Sequence, residues 1–376
     1  MATTLEHSAD KQMDAEARKG VPAKWWALVG VAVLSLIAYE WGSWLINGDA
    51  RPVPAGPSKV PTWMVVSIHS LEAISVLLVG VALYFYAYKP WKRTRKIGTD
   101  ALMIVAWLFT YMLLDPWENF TAITYSYNAE FVNLGCPQCH VPFWNSPNPN
   151  NMGEPLLFIG GMYPGMLFLG TVFSCWAMRK VKARYPRTGT FALIMVAFAS
   201  MFVWDFALEV PPMLAGAWMW WWGGGNFTLF NGQYFQQPLL EPLTWGFCWG
   251  IMGCLRYFVN DRGETLAERG IDRIKVSDRK KTFIRLLSLT GAISTIMAVG
   301  YMLPYQFFGT HAAATPSSIC SKSYFTTGLA GPGTTLGCPN PQEPLPMNGK
   351  SARIGPDGKL YVPGTATLPT NPPSDR

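Results

Sequence analysis

Charged residues are scarce in this sequence. Only 14% of its 376 residues are Asp, Glu, Lys or Arg, whereas roughly 25% is usual for a soluble domain. Half of the residues are hydrophobic, and 14% are aromatic. A chain of this composition cannot cover a water-facing surface with polar groups, so a soluble globular protein is excluded.

Charges are nearly absent from several stretches of about twenty residues, the length of helix that crosses the hydrocarbon layer. The sequence therefore predicts an all-α, polytopic membrane protein with about seven transmembrane helices. The first apolar stretch is too long for a signal peptide and lacks a small-residue cleavage site, so we expect it to be retained. The predicted spans are Trp25–Ile46, Trp63–Tyr88, Asp100–Trp117, Leu156–Met178, Phe191–Val210, Leu239–Val259 and Phe283–Tyr305.

Lys and Arg are absent from two predicted loops, 118–155 and 211–238, but frequent in the links after the second, fourth and sixth spans. Basic residues in short loops favour the cytoplasmic side, which predicts a cytoplasmic N-terminus and an exterior C-terminus. Residues 1–24 would then be a cytoplasmic segment, 25–305 the transmembrane domain, and 306–376 an exterior tail rich in Pro and Gly, partly ordered by cysteines. The same rule accounts for the net charge of +7, so no nucleic-acid partner is expected.

Four of the seven cysteines are predicted to be exterior, where thiols tend to pair. These disulfide candidates are Cys136, Cys139, Cys320 and Cys338, which allow three pairings. The spacing Cys136-x-x-Cys139-His140 also matches covalent haem attachment, although the loop is short and rich in proline. A closed zinc site would need a fourth ligand that the sequence does not offer. A haem or metal redox membrane protein is therefore kept as an alternative.

Ionisable residues interrupt the predicted spans, where they are costly and often functional. They come late in the helices that run outward and early in those that run inward, so all are expected in the outer third of the membrane. This common depth predicts one polar cavity near the exterior side. The catalytic candidates are Glu40, His69, Glu72, Asp115, Asp205, Glu209 and Glu241, with Glu118 just beyond the third span.

Two pairs within this set lie on single helical faces, because His69 and Glu72 are three residues apart and Asp205 and Glu209 are four apart. Neighbouring carboxylates in a poorly solvated pocket cannot both ionise easily, so one is expected to hold its proton. The pair would supply a proton donor beside a charge stabiliser, and His69 a relay. No metal is assigned, because one spanning histidine is few for a carboxylate iron site. Acids near an interface can also simply reach water.

Tryptophans are concentrated in the stretch AGAWMWWWGGGNFTLF, residues 215–230. Such residues ordinarily form an interfacial belt, but the glycines would also let the segment fold over the cavity as an aromatic wall. That wall would suit a lipophilic, ring-bearing substrate. The candidates for substrate binding are Trp117, Trp218, Trp221 and Trp222.

The stretch YMLLDPWENF, together with YNAEFVNLGCPQCHVPFW, resembles the AveC-type membrane spirocyclases, and the resemblance extends from Trp25 to Phe308. It implies closure of a spiroketal from a polyketide with one ketone and two hydroxyls, sometimes with dehydration. Acid–base chemistry through an oxocarbenium-like cation needs no cofactor, and a terpenoid or steroid-like lipid is an equally open substrate. The implied partners are this lipophilic substrate and the lipid of the cell membrane. A proton-coupled carrier is the other alternative, disfavoured by the lack of internal repeats.

Overall fold

The computed structural model describes residues 21–56, 58–121, 123–144, 146, 151–221, 227–311 and 322–326, and two short strands near the C-terminus. The described chain is mostly helical. Six of its helices are long and apolar enough to cross a membrane. The seven long helices are α1 (Pro22–Ile46), α2 (Thr62–Thr94), α3 (Thr99–Leu114), α4 (Phe158–Arg184), α5 (Thr190–Leu214), α6 (Leu240–Tyr257) and α7 (Asp278–Phe307).

The helix outside that set of six is α6, which lies where the sixth span was predicted. Its Trp and Gly residues, together with Glu241 and Arg256 near its ends, keep its hydropathy low. Its side chains are largely buried against α4, α5 and α7. Contact with protein on most sides explains why this helix does not need the apolar surface of a lipid-facing span.

Proline ends α3 at the point where the functional site begins. Asp115 is the C-cap residue and is followed by Pro116, and the peptide bond between them is cis. Proline has no N–H for the helical ladder and disfavours helical geometry in the residue before it. The chain therefore leaves the helix at Asp115 and re-forms a short 3₁₀ turn at Trp117–Asn119.

Glycine lets α1 and α7 pack with their backbones in contact. A Cβ atom at Gly30 would lie 2.0 Å from the carbonyl oxygen of Leu287, and one at Gly291 would lie 2.2 Å from that of Trp26. Small residues are the usual means of close helix packing in membranes. Any larger residue at either position would force these two helices apart.

A two-stranded antiparallel sheet joins the α3–α4 loop to the α5–α6 loop. Strand β1 (Tyr125–Tyr127) pairs with β2 (Trp218–Trp220) in the register Tyr125↔Trp220 and Tyr127↔Trp218. Alternate residues of a strand face one side, so these four aromatic side chains share a face. We call this pair of strands the aromatic cap. The remaining short elements are β3 (Thr228–Leu229), β4 (Gln237–Pro238), α8 (Ser323–Thr326), β5 (Arg353–Ile354) and β6 (Leu360–Tyr361).

One predicted disulfide is present, between Cys136 and Cys139. It closes the 3₁₀ turn Pro137–His140, which packs against α1. Sulfur atoms joined in this way are not free to attach haem, which favours the disulfide interpretation of the motif. The other two candidates, Cys320 and Cys338, lie outside the described residues.

Candidate active site

A small cavity lies between the helices and below the aromatic cap. Trp218 and Trp220 of the cap, Trp245 and Trp249 of α6, and Tyr301 of α7 form much of its wall. Its free volume is about 50 Å³, which is room for a few water molecules. The cavity thus combines a largely aromatic wall with space for polar atoms.

Three carboxylic side chains line this cavity: Asp115 and Glu118 at the end of α3, and Glu209 of α5. Asp115 and Glu118 are each 4% exposed. The described residues that line the cavity include neither Lys, Arg nor His. Burial of unpaired carboxylates is costly, so their charge has to be met by hydrogen-bond donors, shared protons or a bound cation.

Asp115 receives three tyrosine hydroxyl groups. Tyr163 donates to its Oδ1 at 2.9 Å, while Tyr127 and Tyr125 donate to its Oδ2 at 3.3 and 3.4 Å. The two weaker donors come from β1 of the aromatic cap and the strongest from α4. Two elements, β1 and α4, therefore fix the position of the carboxylate.

Glu154 of the α3–α4 loop is a direct neighbour of Asp115. It is 1% exposed, and its side chain is hydrogen-bonded to Asp115. Burial, followed by the Asp115 carboxylate, raises the pKa of Glu154 well above its usual range. Glu154 is thus suited to donate a proton in the hydrogen bond between the two carboxyl groups.

A second cluster of carboxylic side chains lies between α5 and α6. One oxygen from each of Asp205, Glu209 and Glu241 lies within 4.8 Å of the others. Tyr301 donates to Glu241 at 3.0 Å, and the Gln237 amide donates to Glu241 at 2.8 Å and to Glu209 at 3.4 Å. Three such oxygens could hold a hard divalent cation, and they could equally share protons. Glu209 also lines the cavity, so this cluster of carboxyl groups adjoins the cavity wall.

Comparison with known proteins gives one informative result. The model of the family Spirocyclase AveC-like matches residues 94–325. The chain belongs to the AveC-like spirocyclase family. The matched region runs from the end of α2 to α8 and so contains the whole cavity. No curated protein and no solved structure matches the chain.

The structure of this AveC-like protein brings together five of the eight predicted acidic and histidine positions. They come from α3, the turn after it, α5 and α6, and they are Asp115, Glu118, Asp205, Glu209 and Glu241. Only their convergence in space makes them one site, since they are separated by more than a hundred residues of chain.

Two other predicted positions, His69 and Glu72, do not line the cavity. The Glu72 carboxylate accepts the backbone N–H of Val132 at 2.8 Å and contacts His69 Nδ1 at 2.8 Å. His69 is about half exposed. These contacts tie α2 to the α3–α4 loop, because the helical face that carries both residues is turned toward that loop.

Glu40 is also buried away from the cavity, at 0% exposure. The Trp117 indole N–H is close to it. Neither of its oxygens has a hydrogen bond of standard geometry within the described part of the chain. Trp117 therefore faces α1 and is not part of the cavity wall.

The predicted tryptophans of the AveC-like protein are likewise divided. Trp218 lines the cavity. Trp221 does not line the cavity. It is buried and donates to the Ser126 hydroxyl at 2.8 Å, a bond that stabilises the aromatic cap. Trp222 lies outside the described residues.

Sequence reasoning missed the residues that complete the site. Glu154 sits in a loop, where a carboxylate carries no signal because it is ordinarily solvated. In the sequence, the tyrosines of the site and the tryptophans of α6 are indistinguishable from ordinary interfacial or core aromatic residues. The regular spacing of Trp245 and Trp249, four residues apart and stacked at 4.4 Å, was the available clue to a common face on α6.

Proposed function

We propose that this protein is a membrane-embedded cyclase that closes rings on a lipophilic polyketide-, terpenoid- or steroid-like substrate by acid–base catalysis. Membership of the spirocyclase family supports a cyclase-type role. The observation that carries the proposal is the aromatic cavity into which carboxyl groups of α3 and α5 both project. A proton donor and a proton acceptor at one cavity are what ring closure of a ketodiol requires.

The reaction can be written with Glu209 as acid and Asp115 as base. Glu209 protonates the hydroxyl of a hemiketal, the carbon–oxygen bond breaks, and water leaves with formation of an oxocarbenium cation. The second hydroxyl of the substrate attacks that carbon and gives its proton to Asp115. The hemiketal itself forms when the first hydroxyl adds to the ketone carbon and its proton moves to the ketone oxygen. The overall change is therefore the ketodiol to the spiroketal and one water, without a net change in protons.

The aromatic wall supports the cationic intermediate. Indole faces attract cations, and Trp245, Trp249 and Trp218 all border the cavity. The three tyrosine hydroxyls orient Asp115 before the cation forms, so little reorganisation is needed during the reaction. Enclosure also protects the cation from capture by bulk water.

Substrate entry requires a wider cavity than the present one. Pockets for compounds of drug size usually measure roughly 300–1,000 Å³, whereas this cavity has about 50 Å³. The aromatic cap joins two loops through only three residue pairs. Separation of β1 from β2 is the proposed opening movement, because it breaks only this short strand pairing.

The proposal includes the membrane topology. A cytoplasmic N-terminus, an exterior C-terminal tail and an exterior aromatic cap follow from the distribution of Lys and Arg over the loops. The site would then lie near the exterior face of the cell membrane, where a lipophilic substrate can enter from the outer leaflet.

A conversion assay tests this function. Purified protein in lipid nanodiscs is incubated with a long-chain ketone that carries one hydroxyl on each arm, and products are separated by mass. We expect loss of one water and a spiroketal product from the wild type. The proposal fails if no ketodiol of a series with varied hydroxyl positions is converted, or if the double variant Glu209→Gln/Asp115→Asn converts it equally well.

A further inference from the structure

A second cavity lies on the other side of β1 from the reaction cavity. Tyr125 and Tyr127 line both cavities and form the partition between them. The second cavity has a free volume of about 20 Å³, enough for one water molecule. Part of its lining is Ala129, Asn151 and Gly153, which are partly exposed. It therefore extends toward the surface formed by the α3–α4 loop.

The pair Glu154 and Asp115 spans this partition. Glu154 lines the second cavity and Asp115 lines the reaction cavity, while their carboxyl groups are hydrogen-bonded to each other. The Oε1 atom of Glu154 is buried and has no hydrogen-bond partner within the described chain. A buried acceptor left open in this way is unusual, and the residue that carries it lines a polar space of the size of one water.

The loop holds Glu154 in place by backbone contacts. Its N–H donates to the carbonyl oxygen of Gly135 at 3.1 Å, and the next residue, Pro155, forms a β-bridge with Asn133. The backbone position of Glu154 is thus set by the loop and does not depend on the bond to Asp115.

We propose that Glu154 and Asp115 form a proton relay between the reaction cavity and the second cavity, which we call the outer cavity. The relay rests on the proposed cyclase function. When Asp115 accepts the proton of the attacking hydroxyl, Glu154 releases its own proton from the pair to water in the outer cavity. The proton on Asp115 then shifts along the hydrogen bond to Glu154, which restores the starting state.

Glu209 regains its proton by the reverse exchange. One proton passes inward through the pair and across the reaction-cavity water to Glu209, so each turnover consumes one proton at the acid and returns one at the base. No oxidant or further reactant is needed.

The groups that face Glu154 come from each element packed around it. Asp115 and Glu118 follow α3, Tyr111 belongs to α3 itself, Tyr127 and Tyr125 to β1, and Tyr163 to α4. All of them are acids, and none is a base. Burial raises the pKa of Tyr125 and of Tyr127 well above the usual range, so both remain hydroxyl donors. Asp115 lines the reaction cavity and Glu154 the second cavity, whereas Glu118 lines only the reaction cavity. The Asp115–Glu154 pair is therefore the carboxyl pair of this group that reaches both cavities.

The decisive variant is Glu154→Gln, which keeps the shape and an N–H donor for Asp115 but cannot pass a proton on. With the ketodiol as probe, we expect kcat to fall at least tenfold, KM to stay within twofold, and the solvent deuterium isotope effect on kcat to increase. Glu154→Asp should recover part of the rate. The matched control is Glu130→Gln in the same loop, which should leave all three quantities unchanged.

A structural role for Glu154 predicts a different pattern. It would lower the melting temperature or raise KM and leave the isotope effect as in the wild type. Wild-type kcat and isotope effect in Glu154→Gln would overturn the relay, while conversion of the ketodiol by the wild type would still support the cyclase.

The relay can also be tested without substrate. Infrared spectra in D₂O report exchange of protonated carboxyl groups, and the reaction-cavity carboxyls should exchange at least tenfold more slowly in Glu154→Gln than in the wild type or in Glu130→Gln. Equal exchange rates in all three proteins would overturn the relay. This outcome is independent of whether any ketodiol is a substrate.

Discussion

Replacement of Glu209 by Gln separates the chemistry of the cavity from the stability of the fold. Glu209 lines the cavity and is not fully buried. Its assigned hydrogen bond is a long one, 3.4 Å from the Gln237 amide. Gln has the same shape and can accept that bond, so we expect the unfolding free energy to change by about 1 kcal/mol or less.

The loss of activity should be far larger. A positioned general acid contributes about 10²- to 10⁴-fold to the rate, which corresponds to roughly 3–5 kcal/mol of transition-state stabilisation. The amide cannot supply the proton that releases water from the hemiketal. We therefore expect kcat for the ketodiol to fall by at least a hundredfold with little change in KM.

The assay compares Glu209→Gln with Glu72→Gln in nanodiscs, after both proteins pass size exclusion and thermal unfolding tests. Glu72 binds the Val132 N–H and His69 and lies outside the cavity lining. Because the amide oxygen of Gln can still accept the Val132 N–H, this substitution should lower stability by about 1 kcal/mol or less and leave the rate per folded molecule near that of the wild type. Full turnover by folded Glu209→Gln, or a collapse of turnover only in Glu72→Gln, would refute this reasoning.

Three further predictions follow from the same contacts. Tyr163→Phe removes the shortest donor to Asp115, worth about 1.5–3 kcal/mol for a bond to a charged group, so kcat should fall about tenfold or more; an unchanged rate would contradict the orienting role. Exhaustive treatment with EDTA should leave turnover unchanged if Asp205, Glu209 and Glu241 share protons; loss of activity restored by Mg²⁺ or Mn²⁺ would point to a metal. Because the pKa of Glu154 is raised above 4.5, the unfolded chain releases this proton first as pH rises. The contribution of Glu154 to stability, complete below pH 4.5, is then lost as pH approaches the folded pKa. Melting temperatures should fall less steeply with pH in Glu154→Gln, and equal slopes would contradict this.

Periodicity and composition predict the helices well because the physical constraint on them is local. A span must be apolar over its own length, so the long helices fall close to their expected positions. The exception in hydropathy, α6, is instructive. Its neighbours replace lipid on most of its surface, and a sequence alone does not tell which helix will be surrounded by protein.

For the acidic residues too, the sequence predicts one part of the arrangement and the packing of the helices decides the other. The cost of burying a carboxylate in a span marks Asp115, Asp205 and Glu209 without knowledge of the fold. Helix depth, however, does not give the direction in which a side chain points. The faces of α1 and α2 that carry Glu40 and Glu72 turn toward the indole of Trp117 and the α3–α4 loop. The prediction of a common depth therefore does not place all of these acids in one cavity.

The sequence by itself determined that this chain is apolar and helical, that carboxylates interrupt its apolar stretches, and which family its motifs resemble, since each of these depends on residues close together in the chain. Only the tertiary structure decided which acids share a cavity, that a loop residue, Glu154, contacts Asp115, and that tyrosines and tryptophans from five elements enclose them. Those contacts join segments far apart in sequence, and their geometry comes from helix packing and from the pairing of β1 with β2.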